Sequence, residues 1–214
     1  MSGWVFPPPE PPSLPAPGGR YPVRRIFCIG RNYAAHAAEL GNAVAPVPWF
    51  FTKTPMSLAQ SGSVLPYPPG TEDYHHEVEL VVALGEGGAP WGWASGLDMT
   101  RRDLQARAKA DRLPWDAAKD VEGGAVIGTL SDEAPGPEAR IALDVNGETR
   151  QDARIGDMVW PVAALLTHLS GLYTLGPGDL VMTGTPAGVG PVRPGDRLEG
   201  RIDGLAPVRL EIAP

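Results

Sequence analysis

The sequence predicts an α+β fold dominated by short strands, with two or three helices at its edge. Three observations lead there. Glycine and proline are abundant, 27 and 25 of 214 residues, and they punctuate the chain at the short intervals that suit turns between strands. The apolar runs RRIFCIG, EVELVVALG and DLVM are brief and rich in β-branched residues, the pattern of buried strands. Helical patterning is confined to three short stretches. A 43% apolar content supplies a core, and the length suits one domain.

Residues 1–20 carry seven prolines, which predicts an extended, polyproline-like arm hugging the surface rather than a helix or a ladder. The main domain is expected over 21–214. RRIFCIG reads as a buried strand, and RNYAAHAAELGN after it as a short helix stopped by Gly41-Asn42. VPWFFTKTPMSLAQSGSVLPYPPGTED alternates apolar pieces with Pro and Gly, so strands and wide turns are expected there. HHEVELVVALG is a strong strand, and WGWASGLDM the next one. TRRDLQARAKAD is a helix with a capping-box-like start from Thr100 and Asp103, ended by LPW. AVIGTL and RIALDVNGETRQ are strands, the second folded at Asn146-Gly147 into a type I′ hairpin. MVWPVAALLTHLSG is a helix with Pro161 in its first turn and one apolar stripe for a sheet. The remainder alternates strands with Gly/Pro turns.

Composition excludes several functions. With 18 basic against 25 acidic residues the net charge is −7, which argues against a nucleic-acid partner. The single cysteine, Cys28, rules out a disulfide framework or a multi-cysteine metal site, and it lies in an apolar strand without an activating base. No run of 18 apolar residues is present and the N-terminus lacks a basic and apolar leader pattern, so a soluble, cytoplasmic protein without membrane contact is expected. VMTGTPAGVG offers backbone N–H groups to an anion but lacks GK[ST] and is no phosphate-loop motif. No G-x-S-x-G elbow occurs.

The chemistry-bearing residues are acidic. Glu77 and Glu79 lie two apart on one strand, so both carboxylates leave the same face, and Asp98 closes the next strand. Three converging anions require a compensating cation, and oxygen-only ligands suit a hard ion such as Mg²⁺, Mn²⁺ or Ca²⁺. Spacing alone favours a solvated strand face, and the apolar surroundings VELVV tilt the reading back toward a buried site. His36 and Glu39 stand at i and i+3 of the first helix, where a carboxylate can orient an imidazole base; a surface pair is the alternative. Lys119, Arg102 and Gln105 can direct charge or a donor at an anionic substrate. His75 and His76 are expected to support the site rather than ligate, and His168 to be structural.

The ordered motifs IGRNYAAHAAELG, YHHEVELVVALG, LDMTRRDLQARAK, LPWDAAK, LDVNGETRQ and VMTGTPAGVGPVRPGD resemble those of the fumarylacetoacetate hydrolase family. The likeness runs from about Arg24 to Pro214 and is strongest toward its short bacterial members that cleave fumarylpyruvate and other acylpyruvates. It implies a β-rich mixed roll or sandwich with peripheral helices, usually a homodimer. It implies Mg²⁺ or Mn²⁺ held by Glu77, Glu79 and Asp98, with His36 and Glu39 on a lid at about 31–42 and Lys119 as the active-site lysine. Gln105, Thr185 and Arg102 fall on substrate-holding positions. The implied activity is metal-dependent cleavage of a 2,4-diketo acid to pyruvate and a carboxylic acid. Decarboxylation of oxaloacetate, or isomerisation or decarboxylation of a hydroxylated dienoate diacid, are alternatives on the same site. A non-catalytic metal- or ligand-binding module, its proline-rich arm docking a partner, is the alternative of another class. The segments GNAVAPVPWFFTKTPM and GEGGAPWGW depart from the family pattern and bear on substrate size.

Overall fold

The computed structural model describes residues 3–41, 43 and 46–214. In the first half of the chain the strands are β1 (Ser13–Ala16), β2 (Gly19–Pro22), β3 (Arg25–Gly30), β4 (Trp49–Lys53), β5 (Leu58–Gln60), β6 (Ser63–Leu65), β7 (Tyr74–His76), β8 (Val78–Leu84), β9 (Pro90–Asp98) and β10 (Thr100–Arg101). The second half adds β11 (Ala125–Ile127), β12 (Arg140–Val145), β13 (Glu148–Arg154), β14 (Asp179–Met182), β15 (Gly190–Pro191), β16 (Arg197–Ile202) and β17 (Val208–Ile212). The helices are α1 (Ala34–Glu39), α2 (Arg102–Asp111), α3 (Asp116–Lys119) and α4 (Val162–Ser170).

A seven-stranded sheet in the order β4-β3-β14-β8-β9-β11-β5 faces a five-stranded sheet in the order β13-β12-β16-β17-β6. The β-rich α+β expectation thus holds, with the large sheet curled. Residue parity along β8 decides what each side chain meets. Val78 and Leu80 join Leu143, Leu198 and Leu210 of the smaller sheet in one core. Val82 and Leu84 on the same face pack on Leu165 and Leu169 of α4. Val81 and Ala83 turn to the other side, where Ile26, Cys28 and Met182 form a second core with Leu14 and Tyr21.

The end of the expected polyproline arm is corrected by that second core, while residues 3–12 form no strand or helix. Ser13–Ala16 and Gly19–Pro22 form an antiparallel hairpin with Leu14 fully buried. The Tyr21 hydroxyl donates to the Leu84 carbonyl at 2.7 Å and accepts from the Gly178 N–H at 2.8 Å. Burying an apolar side chain and satisfying one tyrosine outweigh the local preference of the prolines for an unpaired chain.

Three of the four helices fall where the sequence places them, with different ends; α3, a single turn over Asp116–Lys119, was not expected. The start of α2 is a correction: Thr100 belongs to β10 and pairs with His75, and no side chain caps the helix. Asp103 instead accepts from the Thr71 hydroxyl and the Glu72 N–H. Pro161 is the residue that precedes α4 rather than one inside it. Asn146 and Gly147 take the positive φ values of 53° and 83° that a type I′ turn needs. The stop of α1 falls at Leu40 and Gly41; Asn42, expected in the same stop and as the end of the lid, lies outside the described residues.

Candidate active site

The face of β8 that carries Val81 and Ala83 inward also carries Glu79. Opposite it in β9 stands Gly96, where a Cβ would come 2.5 Å from Val81 Cγ2, so the strands approach closely beside the carboxylate. Glu77 immediately precedes β8, and its carbonyl accepts from the Asp98 N–H at 2.8 Å. This register gathers Glu77, Glu79 and Asp98, all buried, with one carboxylate oxygen from each within 4.8 Å of the others. Spacing left open a solvated strand face; burial removes that alternative.

Cations surround the three carboxylates. Lys119 Nζ, buried at the end of α3, donates to Glu77 Oε2 at 2.8 Å and to Asp98 Oδ2 at 2.9 Å. Arg102 Nη2 donates to Glu77 Oε1. Lys53 Nζ lies 2.9 Å from Asp98 Oδ1 and donates to the carbonyls of Met99 and Lys119. Burial favours the neutral form of Glu77, but Lys119 and Arg102 outweigh it and hold the carboxyl below its ordinary range. Lys119 is raised despite its burial, by Asp98 and Glu77. Glu79 goes the other way: burial, with Asp98 and Glu77 beside it, pushes its carboxyl well above the ordinary range, and the Gly184 N–H at 2.8 Å does not offset this.

That imbalance is what a divalent cation would relieve. Glu79 is a buried carboxyl short of positive charge, and Asp98 Oδ1, although near Lys53, receives no directed hydrogen bond. Three carboxylate oxygens with one under-satisfied carboxyl and one orphaned oxygen fit a hard ion such as Mg²⁺ or Mn²⁺.

The expected His36–Glu39 pair sits across the cavity on α1. His36 is buried, and its Nδ1 lies 3.0 Å from Glu39 Oε2. The second oxygen of Glu39 accepts from the Gly188 N–H at 2.9 Å, which ties the helix to the VMTGTPAGVG loop. Gly188 has φ +96°, and a Cβ there would collide with the Arg150 carbonyl, so glycine is required. Asn32 anchors the other end of the segment, donating to the carbonyls of Trp160 and Thr183 at 3.0 and 2.8 Å and accepting from the Trp160 N–H.

The remaining candidates converge on the same place. Gln105 Oε1 accepts from Arg102 Nη1 at 2.7 Å. Thr185 donates to the Val78 carbonyl and accepts from Gln151 Nε2, both at 2.8 Å. Gln151 Oε1 takes the Val78 N–H at 3.0 Å and lies 3.1 Å from His76 Nδ1; burial pulls His76 down to about 4. His75 Nδ1 accepts from Arg102 Nε at 3.4 Å, and its other nitrogen meets Asp73. His168 is remote from these groups and meets Phe50 edge-on.

Lys53, Gln151 and the tryptophans Trp49 and Trp115 escape a reading of motifs. Lys53 had one signal: Trp49, Phe51 and Lys53 alternate on one face of β4. Trp115 packs edge-on against Trp49 at 4.8 Å between centroids, and Lys119 Nζ lies 4.9 Å from the Phe51 ring. The space bounded by Trp49, Phe51, Trp115, Lys119 and His36 is about 30 Å³, room for water and far below the roughly 300–1,000 Å³ of small-molecule sites. Substrate entry therefore requires the α1 segment or the wall side chains to move. A larger concavity, about 720 Å³, lies on the outer face of the five-stranded sheet. Its charges are spent on one another, Arg201 on Asp144 and Glu199, and Arg209 on Glu199, and it brings no acid–base pair together.

Residues 25–213 match the family model described as fumarylacetoacetate (FAA) hydrolase, C-terminal. A fumarylpyruvate hydrolase of Ralstonia sp is 42% identical over 178 residues, spanning 78% of this chain and 93% of the relative. An oxaloacetate tautomerase of Arabidopsis thaliana is 39% identical over 201 residues, 88% of this chain and 90% of that protein. The crystal structure of fumarylpyruvate hydrolase from Pseudomonas aeruginosa in complex with Mn²⁺ and pyruvate superposes with a TM-score of 0.93 at 42% identity, covering 99% of each chain.

Proposed function

The chain belongs to the fumarylacetoacetate hydrolase family, and from that premise we propose that it is a metal-dependent hydrolase cleaving acylpyruvates such as fumarylpyruvate to pyruvate and a carboxylic acid. The observation that carries the reading is one small cavity with buried Glu77 and Glu79 on one side and the His36–Glu39 pair on the other. A binding module needs no oriented base.

Glu77, Glu79 and Asp98 would hold Mg²⁺ or Mn²⁺, which when bound supplies a Lewis acid for the carboxylate and 2-oxo group of the substrate and favours departure of the enolate. Glu39 engages Nδ1 of His36, so Nε2 is the nitrogen that takes a proton from water. The resulting hydroxide adds to C4, the C3–C4 bond breaks with its electron pair on the pyruvate side, and a proton returned to C3 completes pyruvate. Lys119 and Gln105 stand where negative charge develops, and Thr185 is oriented by Gln151 and Val78 to meet substrate. The α1 segment excludes bulk water when seated. We assign catalysis to residues 21–214 and propose a homodimer, which a sedimentation measurement of mass tests.

The likeness to an oxaloacetate tautomerase favours a second reading, enolate chemistry on oxaloacetate without attack by water. Turnover of fumarylpyruvate, followed by loss of its enol absorbance, is measured beside turnover of oxaloacetate, with Mn²⁺ or Mg²⁺ and with chelator. Metal-dependent cleavage of fumarylpyruvate at the higher kcat/KM is expected; faster oxaloacetate turnover would move the assignment to the second reading.

A further inference from the structure

The hydrolytic mechanism leaves two cations of the cavity unused. Arg31 precedes α1 with its backbone in the left-handed region, φ 57°, a conformation that disfavours any residue with a Cβ. Its guanidinium carbon lies 5.6 Å from the centroid of the Trp49 ring. Lys109 stands one turn beyond Gln105 on α2, with Nζ 4.9 Å from the centroid of Trp115. Because Trp49 and Trp115 pack against each other, the two cations are mounted on one aromatic wall of the cavity.

Every other cation of the site has a carboxylate: Arg102 has Glu77, Lys119 has Glu77 and Asp98, and Lys53 has Asp98. Among the described residues neither Arg31 nor Lys109 has one. Burial pulls Lys109 down to about 8, and the nearby charges of Arg102 and Arg31 add to the effect. Half-buried like charges with no carboxylate in ion-pair contact are unfavourable in the free protein and become favourable when an anion enters between them. Ring faces complete the environment, since they stabilise the cations without neutralising them.

We propose that Arg31 and Lys109 form a subsite for the distal carboxylate of a dicarboxylic 2-oxo acid, so that the enzyme selects acyl groups ending in a carboxylate over uncharged ones. The proposal rests on the acylpyruvate reading, in which the 1-carboxylate and 2-oxo group engage the Glu77, Glu79 and Asp98 end and the acyl chain extends along the aromatic wall. Residues outside the metal ligands and the base thus set which acylpyruvate is taken.

Two non-hydrolysable acids of equal length test it by calorimetry on the Mn²⁺-loaded protein. 2-Oxoheptanedioate carries the distal carboxylate and 2-oxoheptanoate lacks it. The unaltered protein is expected to bind the diacid about tenfold or more tightly. Lys109→Met and Arg31→Met are expected to bring the ratio to within about threefold, whereas Lys109→Arg, which keeps the charge, retains it. A ratio near one in the unaltered protein, or a full ratio in both methionine variants, overturns the subsite and identifies the two cations as packing for the wall. The hydrolytic reading is judged apart, by turnover of fumarylpyruvate. A strong ratio without turnover upholds the subsite and overturns the reaction, and turnover without a ratio does the reverse.

Discussion

Replacing Glu79 by Gln separates the charge state of the carboxylate cluster from its capacity for metal. In the metal-free protein, burial with Asp98 and Glu77 beside it raises the Glu79 carboxyl well above its ordinary range, so glutamine is close to an isostere of the neutral form that this environment favours. Its amide oxygen can still accept from the Gly184 N–H, now 2.8 Å from Glu79 Oε2. The cost in chelator is therefore expected to stay under about 1 kcal/mol, not the roughly 3–5 kcal/mol of breaking a buried ion pair. With free Mn²⁺ a hundredfold above its Kd, the unaltered protein gains about 2.7 kcal/mol. At ~2–4 °C per kcal/mol for a chain of this size, that raises Tm by ~5–11 °C. Loss of one of three anionic ligands should reduce the rise to under about 2 °C at the same metal concentration. The sign of the pH dependence follows. A carboxyl whose folded pKa is raised makes the native state bind the extra proton, so metal-free stability falls as pH climbs from the ordinary carboxylate range to the raised value. Glu79→Gln removes that slope. Thermal melts across pH, in chelator and in MnCl₂, measure all three effects. An undiminished Mn²⁺ shift in the variant, or a loss above about 3 kcal/mol in chelator, would refute the reasoning.

Other perturbations probe the lid and the frame. His36→Ala should lower kcat by about 10²–10⁴ while the Mn²⁺-induced rise in Tm persists; loss of that rise would contradict the assignment of His36 as base. Gly188→Ala places a Cβ against the Arg150 carbonyl at φ +96°, and strain of about 1–2 kcal/mol from the backbone alone should lower Tm. It should also free Glu39 and cut kcat/KM about tenfold, and intact kinetics would show that the Gly188 contact does not hold the base. Asp179 is buried and accepts bidentate hydrogen bonds from both Arg24 and Arg25. Burial favours its neutral form, but those arginines outweigh it and depress its pKa, so its contribution is present above the ordinary carboxylate range and lost as pH falls through the depressed value. Asp179→Asn should cost about 2 kcal/mol at pH 7, below the full buried-pair value because both arginines keep water, and should flatten the acid limb of a chemical-denaturation profile.

Much of the site was legible because its chemistry follows local periodicity. A spacing of two in EVE places Glu77 and Glu79 together, a spacing of three in HAAE pairs His36 with Glu39, and NG marks the hairpin at Asn146 and Gly147. These relations hold within one strand, one helical turn or one tight turn, where backbone geometry alone sets direction. The hairpin end of the arm was misjudged because its prolines describe local preference, whereas Tyr21 answers to Leu84 and Gly178, 63 and 157 positions away, and Leu14 to a core it shares with Val81 and Met182. Thr100 looked like a cap and became a strand partner of His75 for the same kind of reason.

By itself the sequence determined most of the elements and which side chains share a face within each, since strand and helix periods are properties of neighbouring residues. Tertiary structure alone decided which charges are buried together. Lys53 reaches Asp98 from another strand of the curled sheet, Gln151 comes from the facing sheet to hold Thr185, and Arg31 and Lys109 share an aromatic wall built from Trp49 and Trp115. Charge compensation depends on distance and dielectric in three dimensions, and neither can be read from spacing along the chain.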